Sequence, residues 1–575
     1  MAKRWALWGL FAILSVAALI SSLGTAFQTL PLDSDTAEMA IIANGVTTHG
    51  LDWLIHWQFP PDNQILSLLP VACCLLPVAT LYYWVFGTSL TTIILQGWLI
   101  FFANAAITSA IVKDVTKSLF SGFIAFFLAL VANPQTVGSP TILAFPISHN
   151  IVWFWGLLGA YGLIRYISGR SNGLLLVALT AIVGTISDPW FTAAFTIPAM
   201  IISWKSMRWF HTELYRKSVI IKTIAICFIF GEIISMTLHY FGLFLPNGDP
   251  IASLALLIKH IPILVKSLLL MFSFTPIPND GFFMVIWVLY AVTAAITTFI
   301  LFRLKISGDN VERITIRFFI ISIYTILFAF IVTGFAQNIQ ASRFLVNVYY
   351  SVIIIISIMV HRYRENTRHE NRVLSIATSV ALICYIALTA RLITENGIRY
   401  DVSMNEQTPN TIVKYLEEKH LNYGFGPYFQ NVNTMLLNVV SSGKVTGVPI
   451  SCNMGYMTPF FGGGGNKLWL SPDKSVIHNQ FVVFRRGDIR YNKCIENNAG
   501  IPNKVYHIDN WTIFKYHKNL TPMMLDNVKI KHEAWVVDNI KRNRIGITKV
   551  CEQLGISQRW VQSAYGWLLA HGIGN

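Results

Sequence analysis

The sequence predicts a polytopic α-helical membrane protein of about 11 transmembrane helices with a C-terminal extracytoplasmic α/β domain. Three observations carry that prediction. The chain is 54% hydrophobic and only 12% charged, where soluble domains carry about 25% charged residues, and its mean hydropathy is +0.54. Apolar runs long enough to cross ~30 Å of hydrocarbon recur up to about residue 390. Charge is also uneven: 15 acids and 23 bases precede residue 392, and the other 13 acids and 20 bases crowd into the last 184 residues. A disordered, collagenous or disulfide-scaffold chain is excluded. A net charge of +15 would point to nucleic acid in a soluble protein. In a polytopic one it reflects basic cytoplasmic loops, so no nucleic-acid partner is expected.

The apolar runs fall at 5–27, 65–86, 89–112, 118–132, 149–165, 173–187, 189–204, 218–243, 281–302, 316–334, 343–360 and 373–390. The first begins with Lys3 and Arg4 and lacks a small-residue cleavage site, so it reads as an uncleaved anchor. The second run decides orientation. With 65–86 held at the outer interface, 19 bases of the N-terminus and connecting loops face inward, and only Lys259, Lys266 and Arg343 face outward before Arg391. With 65–86 crossing, that ratio inverts, against the positive-inside rule. The expected layout is therefore a transmembrane region 1–391 with a long first external loop 28–88, an extracytoplasmic α/β domain 392–521 and a helical extension 522–575. The N-terminus is expected in the cytoplasm of a bacterial inner membrane and the C-terminal domain in the periplasm.

Polar residues collect on the outer side. Asp33, Asp35 and Glu38 follow the first span, ahead of a stretch in which Met39, Ile42 and Val46 recur at helical spacing. Carboxylates there suit a helix N-terminus, and N-capping alone would also explain Asp33 or Asp35. Three more outer segments are singled out: the Pro/Gly/Ser-rich 133–149 ending at His149, the Ser187-Asp188-Pro189-Trp190 turn, and 244–280 with Lys259, His260 and Lys266. Arg343 begins the tenth span. Intramembrane or juxtamembrane charge is costly and marks sites, although Lys259 and Lys266 could equally snorkel to headgroups. His149, Asp188 and Glu38 are candidate cavity residues. Glu232 and His239 read as structural. Acids and bases around one external cavity suit a reaction with an anionic leaving group. A carboxylate takes a proton from an acceptor hydroxyl, and Arg343, with Lys259, His260 and Lys266, holds a departing phosphate.

These residues resemble those of the GT-C integral-membrane glycosyltransferases, in particular the bacterial branch related to aminoarabinose transferase and the protein O-mannosyltransferases. The resemblance rests on Asp33-Ser34-Asp35-Thr36, on Thr48-His49-Gly50-Leu51-Asp52-Trp53 and on Leu81-Tyr82-Tyr83-Trp84-Val85-Phe86-Gly87. It implies Asp35 as the catalytic aspartate, Asp33 as a supporting acid, and a sugar donor linked to polyprenyl phosphate. The acceptor would be lipopolysaccharide, another envelope glycan or a protein. Two features depart from the family pattern: Pro60-Pro61-Asp62 stands where a Lys-Pro is expected, and the second external acid of the subtype is not evident, His149 occupying roughly its place. No cofactor is required on chemical grounds, and no metal site is assigned, though Asp33 and Asp35 leave room for a divalent cation. A transporter or flippase would want polar residues through the full membrane depth and repeat symmetry, neither of which is evident. A polysaccharide polymerase or ligase would be expected to lead with arginines in its outer loops.

In the outer domain, Thr411–Leu416 reads as helix, and 444–448, 480–484 and 511–516 as strands. Gly462–Gly465 reads as a mobile loop. Cys452, Cys494 and Cys551 leave one thiol over, so a Cys452–Cys494 bridge is one pairing among several. The tail around Lys549–Val561 resembles a helix-turn-helix. Two packed helices, or a glycan or membrane contact, fit an extracytoplasmic tail better than DNA binding.

Overall fold

The computed structural model describes residues 2–29, 34–59, 78–131, 149–206, 214–241, 243, 252, 254–274, 281–303, 310–334, 336, 339–366, 372–396, 403–428, 433–453, 455–460 and 464–528. The readings made for Asp33, for 133–148, for Pro276–Asp280 and for the helix-turn-helix-like tail lie outside the described residues.

The chain divides into two compact units. The first comprises Met1–Pro31, Ile94–Ile233 and Gly248–Asp401. The second comprises Leu32–Ile93, Ile234–Asn247 and Val402–Asn575. One division between the units falls at Asp401. Residues 32–93, expected to go with the membrane region, group instead with the C-terminal sequence.

The membrane unit is helical throughout its described length. Among the described residues, five helices are long and apolar enough to cross a membrane: Leu90–Thr116, Ser218–Tyr240, Gly281–Thr298, Asn310–Val332 and Ala341–Arg362. Shorter apolar helices lie at Ile13–Gly24, Leu119–Leu130, Ile151–Ile167, Asn172–Ser187, Thr192–Trp204 and Ile376–Leu388. In lipid, every backbone polar group needs an internal partner, and the unit shows how an irregular turn meets that demand. Thr192–Thr196 forms a π-helical turn, which breaks the regular i→i−4 ladder. Ser322 Oγ donates to the Ala194 carbonyl at 2.7 Å, and Thr325 Oγ1 donates to that of Ala193 at 2.5 Å. Both hydroxyls belong to the Asn310–Val332 helix. At the start of the same helix, buried Glu312 pairs with Arg362 of the neighbouring helix.

The second unit is built on a mixed six-stranded sheet of order β4-β3-β2-β6-β8-β7. Its strands are β2 (Tyr423–Pro427), β3 (Thr446–Asn453), β4 (Tyr456–Pro459), β6 (Gln480–Arg485), β7 (Lys504–Ile508) and β8 (Trp511–Tyr516). β2 runs parallel to β3 and β6, and the other pairings are antiparallel. Ile412, Val413 and Leu416 of the Ser403–Glu418 helix recur at i, i+1 and i+4 and pack on Phe481, Val483 and Ile513 of the sheet. The β2–β3 crossover runs through the Thr434–Val440 helix, whose N-cap Asn433 accepts from Leu436 N at 2.9 Å. A second, two-stranded sheet pairs β1 (Trp57–Gln58) antiparallel with β5 (Gly465–Asn466). It ties the external loop to the C-terminal sequence. Cys452 of β3 is bridged to Cys494 in the Ile489–Ala499 helix.

The bridge closes a 42-residue separation, a loop for which a disulfide contributes about 4 kcal/mol by chain entropy. Replacing Cys452 and Cys494 together by alanine is expected to lower the urea midpoint of the sheet, read by pulse proteolysis. Reductant should lower the wild-type midpoint to the same value and leave that of the double variant unmoved.

Candidate functional site

In the loop–sheet unit, the Ser34–His49 helix is buried on every side over 36–43, where Ala37, Met39, Ala40, Ile41, Ile42 and Ala43 supply the apolar surface. Asp35 is the second residue of this helix, in the turn where the helix dipole favours a carboxylate. Glu38 lies one turn on and is buried. Trp57 Nε1 donates to Glu38 Oε1 at 2.9 Å. A β-carbon at Gly464 would stand 2.2 Å from that same oxygen, and φ there is +116°. Only glycine leaves room for the carboxylate and accepts that backbone.

Gly50, at φ +72°, turns the chain into the short Asp52–Ile55 helix. Trp53 of that helix lies over Gly45, where a β-carbon would stand 2.1 Å from the indole. The same ring stacks on His49, with centroids 4.9 Å apart and planes at 14°, and meets Trp469 edge-on at 6.4 Å. Asn466 Nδ2 donates to the Trp53 carbonyl at 3.0 Å, and Lys467 N donates to that of His56 at 2.9 Å. The Lys467 side chain is buried, and burial pushes its ammonium down to about 7.

In the membrane unit, the Asp188 carboxylate accepts from Trp190 N at 2.7 Å and so shapes its own turn. Trp190 stacks on Phe344 at 4.7 Å, and the Arg343 guanidinium lies 5.4 Å from the Phe344 ring centre. Trp153, Trp190, Phe344 and Asn347 line a small cavity. Asn347 is buried with neither amide atom hydrogen-bonded among the described residues. Arg343 is half-buried. Its Nε is buried without a partner, and the ring of Phe344 is its one contact of charge among the described residues.

No family model and no curated protein matches the sequence. Among solved structures, the crystal structure of ArnT from Cupriavidus metallidurans in the apo state matches with a TM-score of 0.50 at 10% identity, covering 89% of this chain and 98% of that one. The fold is similar to that of ArnT over 89% of the chain.

On this ArnT-like fold, the residues marked in the sequence separate. Asp188 and Arg343, from segments far apart in sequence, come together through the Trp190–Phe344 stack. His149 opens the His149–Ile167 helix. Lys259, His260 and Lys266 share the Leu254–Met271 helix but not a face. His260, Leu264 and Ser267 point inward, with His260 Nδ1 donating to the Ile331 carbonyl at 2.8 Å. Lys259 and Lys266 lie on the exposed face. Glu38, expected beside a cavity, is instead packed under Trp57 and Gly464. Gly464 and Gly465, expected in a mobile loop, are buried, and Gly465 belongs to β5. Sequence reasoning missed Trp53, Trp57, Trp469 and Lys467 as one cluster. The only signal was the density of Trp in the loop, since nothing local says that residues 53 and 469 meet.

Two outcomes follow from this geometry. Gly45→Ala should displace the Trp53 ring and cost about 1–3 kcal/mol of overpacking, more than the helix propensity gained, measured as a lowered thermal midpoint. Lys467 sets a pH dependence. Below pH about 7 it is charged in both states, so the folded state carries the full cost of a buried charge. Between about 7 and 10.5 the unfolded chain still holds a proton that the folded chain has released, so stability rises with pH across that window. Lys467→Met is expected to raise the urea midpoint below pH 7 and to flatten that rise.

Proposed function

We propose that this protein is a membrane glycosyltransferase that moves a sugar from a polyprenyl-phosphate donor to an envelope acceptor on the outer face of the bacterial inner membrane. The observation that carries the reading is Arg343: a half-buried guanidinium with no counter-ion among the described residues, set on an aromatic shelf within an ArnT-like fold. A cation held this way is ready for an anion that arrives with substrate. The topology is eleven crossings with the N-terminus inside. The five long and six shorter apolar helices support it, as does the charge balance of the loops. The Cys452–Cys494 bridge supports an oxidising location for the sheet.

In the proposed reaction, Asp35 accepts the proton of an acceptor hydroxyl as that oxygen attacks the anomeric carbon. The bond to the donor phosphate breaks, the configuration inverts, and the polyprenyl phosphate departs as an anion that Arg343 stabilises. A phosphate leaving group needs little protonation, so the chemistry requires no metal. Asp33 supports Asp35. His260 braces its helix against Ile331, while Lys259 and Lys266 serve the donor phosphate or neighbouring headgroups from the exposed face.

The test is mass spectrometry of envelope glycans and lipid A from cells carrying wild type, a deletion, Asp35→Asn or Arg343→Ala, with membrane levels of each variant checked. One sugar mass should vanish in the deletion. Each variant should cut its transfer rate by about 100- to 1,000-fold. An unchanged sugar in Asp35→Asn would remove Asp35 as the base. A deletion that alters no glycan would sink the transferase reading.

A further inference from the structure

One polar cavity is lined by none of the residues given a role in the proposed transfer. It measures about 150 Å³ and lies wholly within the loop–sheet unit. Its walls include Asn44 and His49 of the acidic helix, Trp53, Trp469, and Asn438 and Ser442 at the end of the Thr434–Val440 helix. Its chemistry is selective in three ways. First, among the described residues no Asp, Glu, Lys or Arg lines it, and His49 is the one titratable group. Phosphate and carboxylate sites are built from Arg or Lys, so an anionic headgroup is a poor fit. Second, the side chains of Asn44, His49 and Ser442 make no hydrogen bond with any described residue, although the pocket packs them together. Amide, imidazole and hydroxyl can each donate and accept, which matches an array of sugar hydroxyls. Third, the indoles of Trp53 and Trp469 border the cavity beside those groups. Its volume is well below the roughly 300–1,000 Å³ of sites for larger ligands, which suits a single ring and not a lipid chain.

Ser442 adds an independent sign. It follows the helix C-cap at φ +52°, and the next residue, Gly443, donates its N–H to the Asn438 carbonyl at 2.9 Å. This left-handed position after a helix favours glycine. A serine stands there instead, and it is one of the residues that line the cavity.

We infer that this cavity binds an uncharged sugar ring. Resting on the transferase reading, that ring belongs to the acceptor, which makes the acceptor a glycan.

The test uses the full chain in detergent micelles, by saturation-transfer NMR and thermal unfolding. The probes are methyl pyranosides of glucose, galactose, mannose and N-acetylglucosamine, with methyl glucuronide as the charged counterpart and a Ser/Thr-rich peptide as the protein-like one. At least one neutral glycoside should bind at about 10 mM. Ser442→Gly should raise the melting temperature, because it relieves the left-handed serine, yet weaken that binding about fivefold. Asn44→Ala should weaken it to a similar degree. Binding unchanged in Ser442→Gly and Asn44→Ala would overturn the assignment. So would the absence of any neutral binder, or tighter binding of the glucuronide or the peptide. Neutral binding with the expected losses, in a protein whose deletion alters no glycan, would keep the sugar site and remove only its role toward an acceptor.

Discussion

The loop–sheet unit depends on one short pairing, that of Trp57–Gln58 with Gly465–Asn466. Two residues a side would not hold on their own, since isolated two-stranded ribbons are marginal in water. Here the pairing sits in a polar and aromatic lock. Trp57 donates to buried Glu38, Asn466 donates to the Trp53 carbonyl, and Trp469 meets both Trp53 and Trp57 edge-on. A buried carboxylate is costly unless it is hydrogen-bonded, so Glu38 and Trp57 specify each other. The Ser34–His49 helix, and with it the position of Asp35, is fixed by the same contacts.

The membrane unit answers to a different constraint. Its solvent offers no hydrogen bonds, so irregular backbone must be satisfied from within. Ser322 and Thr325 do this for the turn after Asp188, and Glu312 pairs with Arg362. Arg343 and Asn347, near the Asp188 turn, are among the residues whose buried polar atoms no described residue satisfies. The aromatic pair Trp190–Phe344 supplies the rigid floor on which such groups stay oriented.

The Leu254–Met271 helix shows how far local pattern reaches. Its apolar spacing predicts an amphipathic surface helix, and it puts His260 and the two lysines on different faces. Residue type alone groups all three as phosphate ligands. Burial separates them: the imidazole is committed to the Ile331 carbonyl, and the ammonium groups face out. Charge in a sequence marks where a site could be. Which charges remain uncommitted emerges only from packing.

The sequence by itself determined the membrane class, the helices under the apolar runs, the acidic helix with its buried Met39–Ile42–Val46 face, and the Thr411–Leu416 helix with strands β3, β6 and β8. Those are local signals of periodicity and hydrophobicity, and lipid and sheet core both enforce them. It left the Cys452–Cys494 bridge as one pairing among several and left β2 unread, because Tyr423-Gly424-Phe425-Gly426-Pro427 has the composition of a turn. Tertiary structure alone decided that the first external loop folds with the C-terminal sheet, that Gly464 is an enclosed neighbour of Glu38, and that Asn44, His49 and Ser442 share one cavity. The reason is range. Each of these contacts joins residues about 400 positions apart, and their energy comes from steric fit and hydrogen-bond geometry, which leave no periodic trace along the chain.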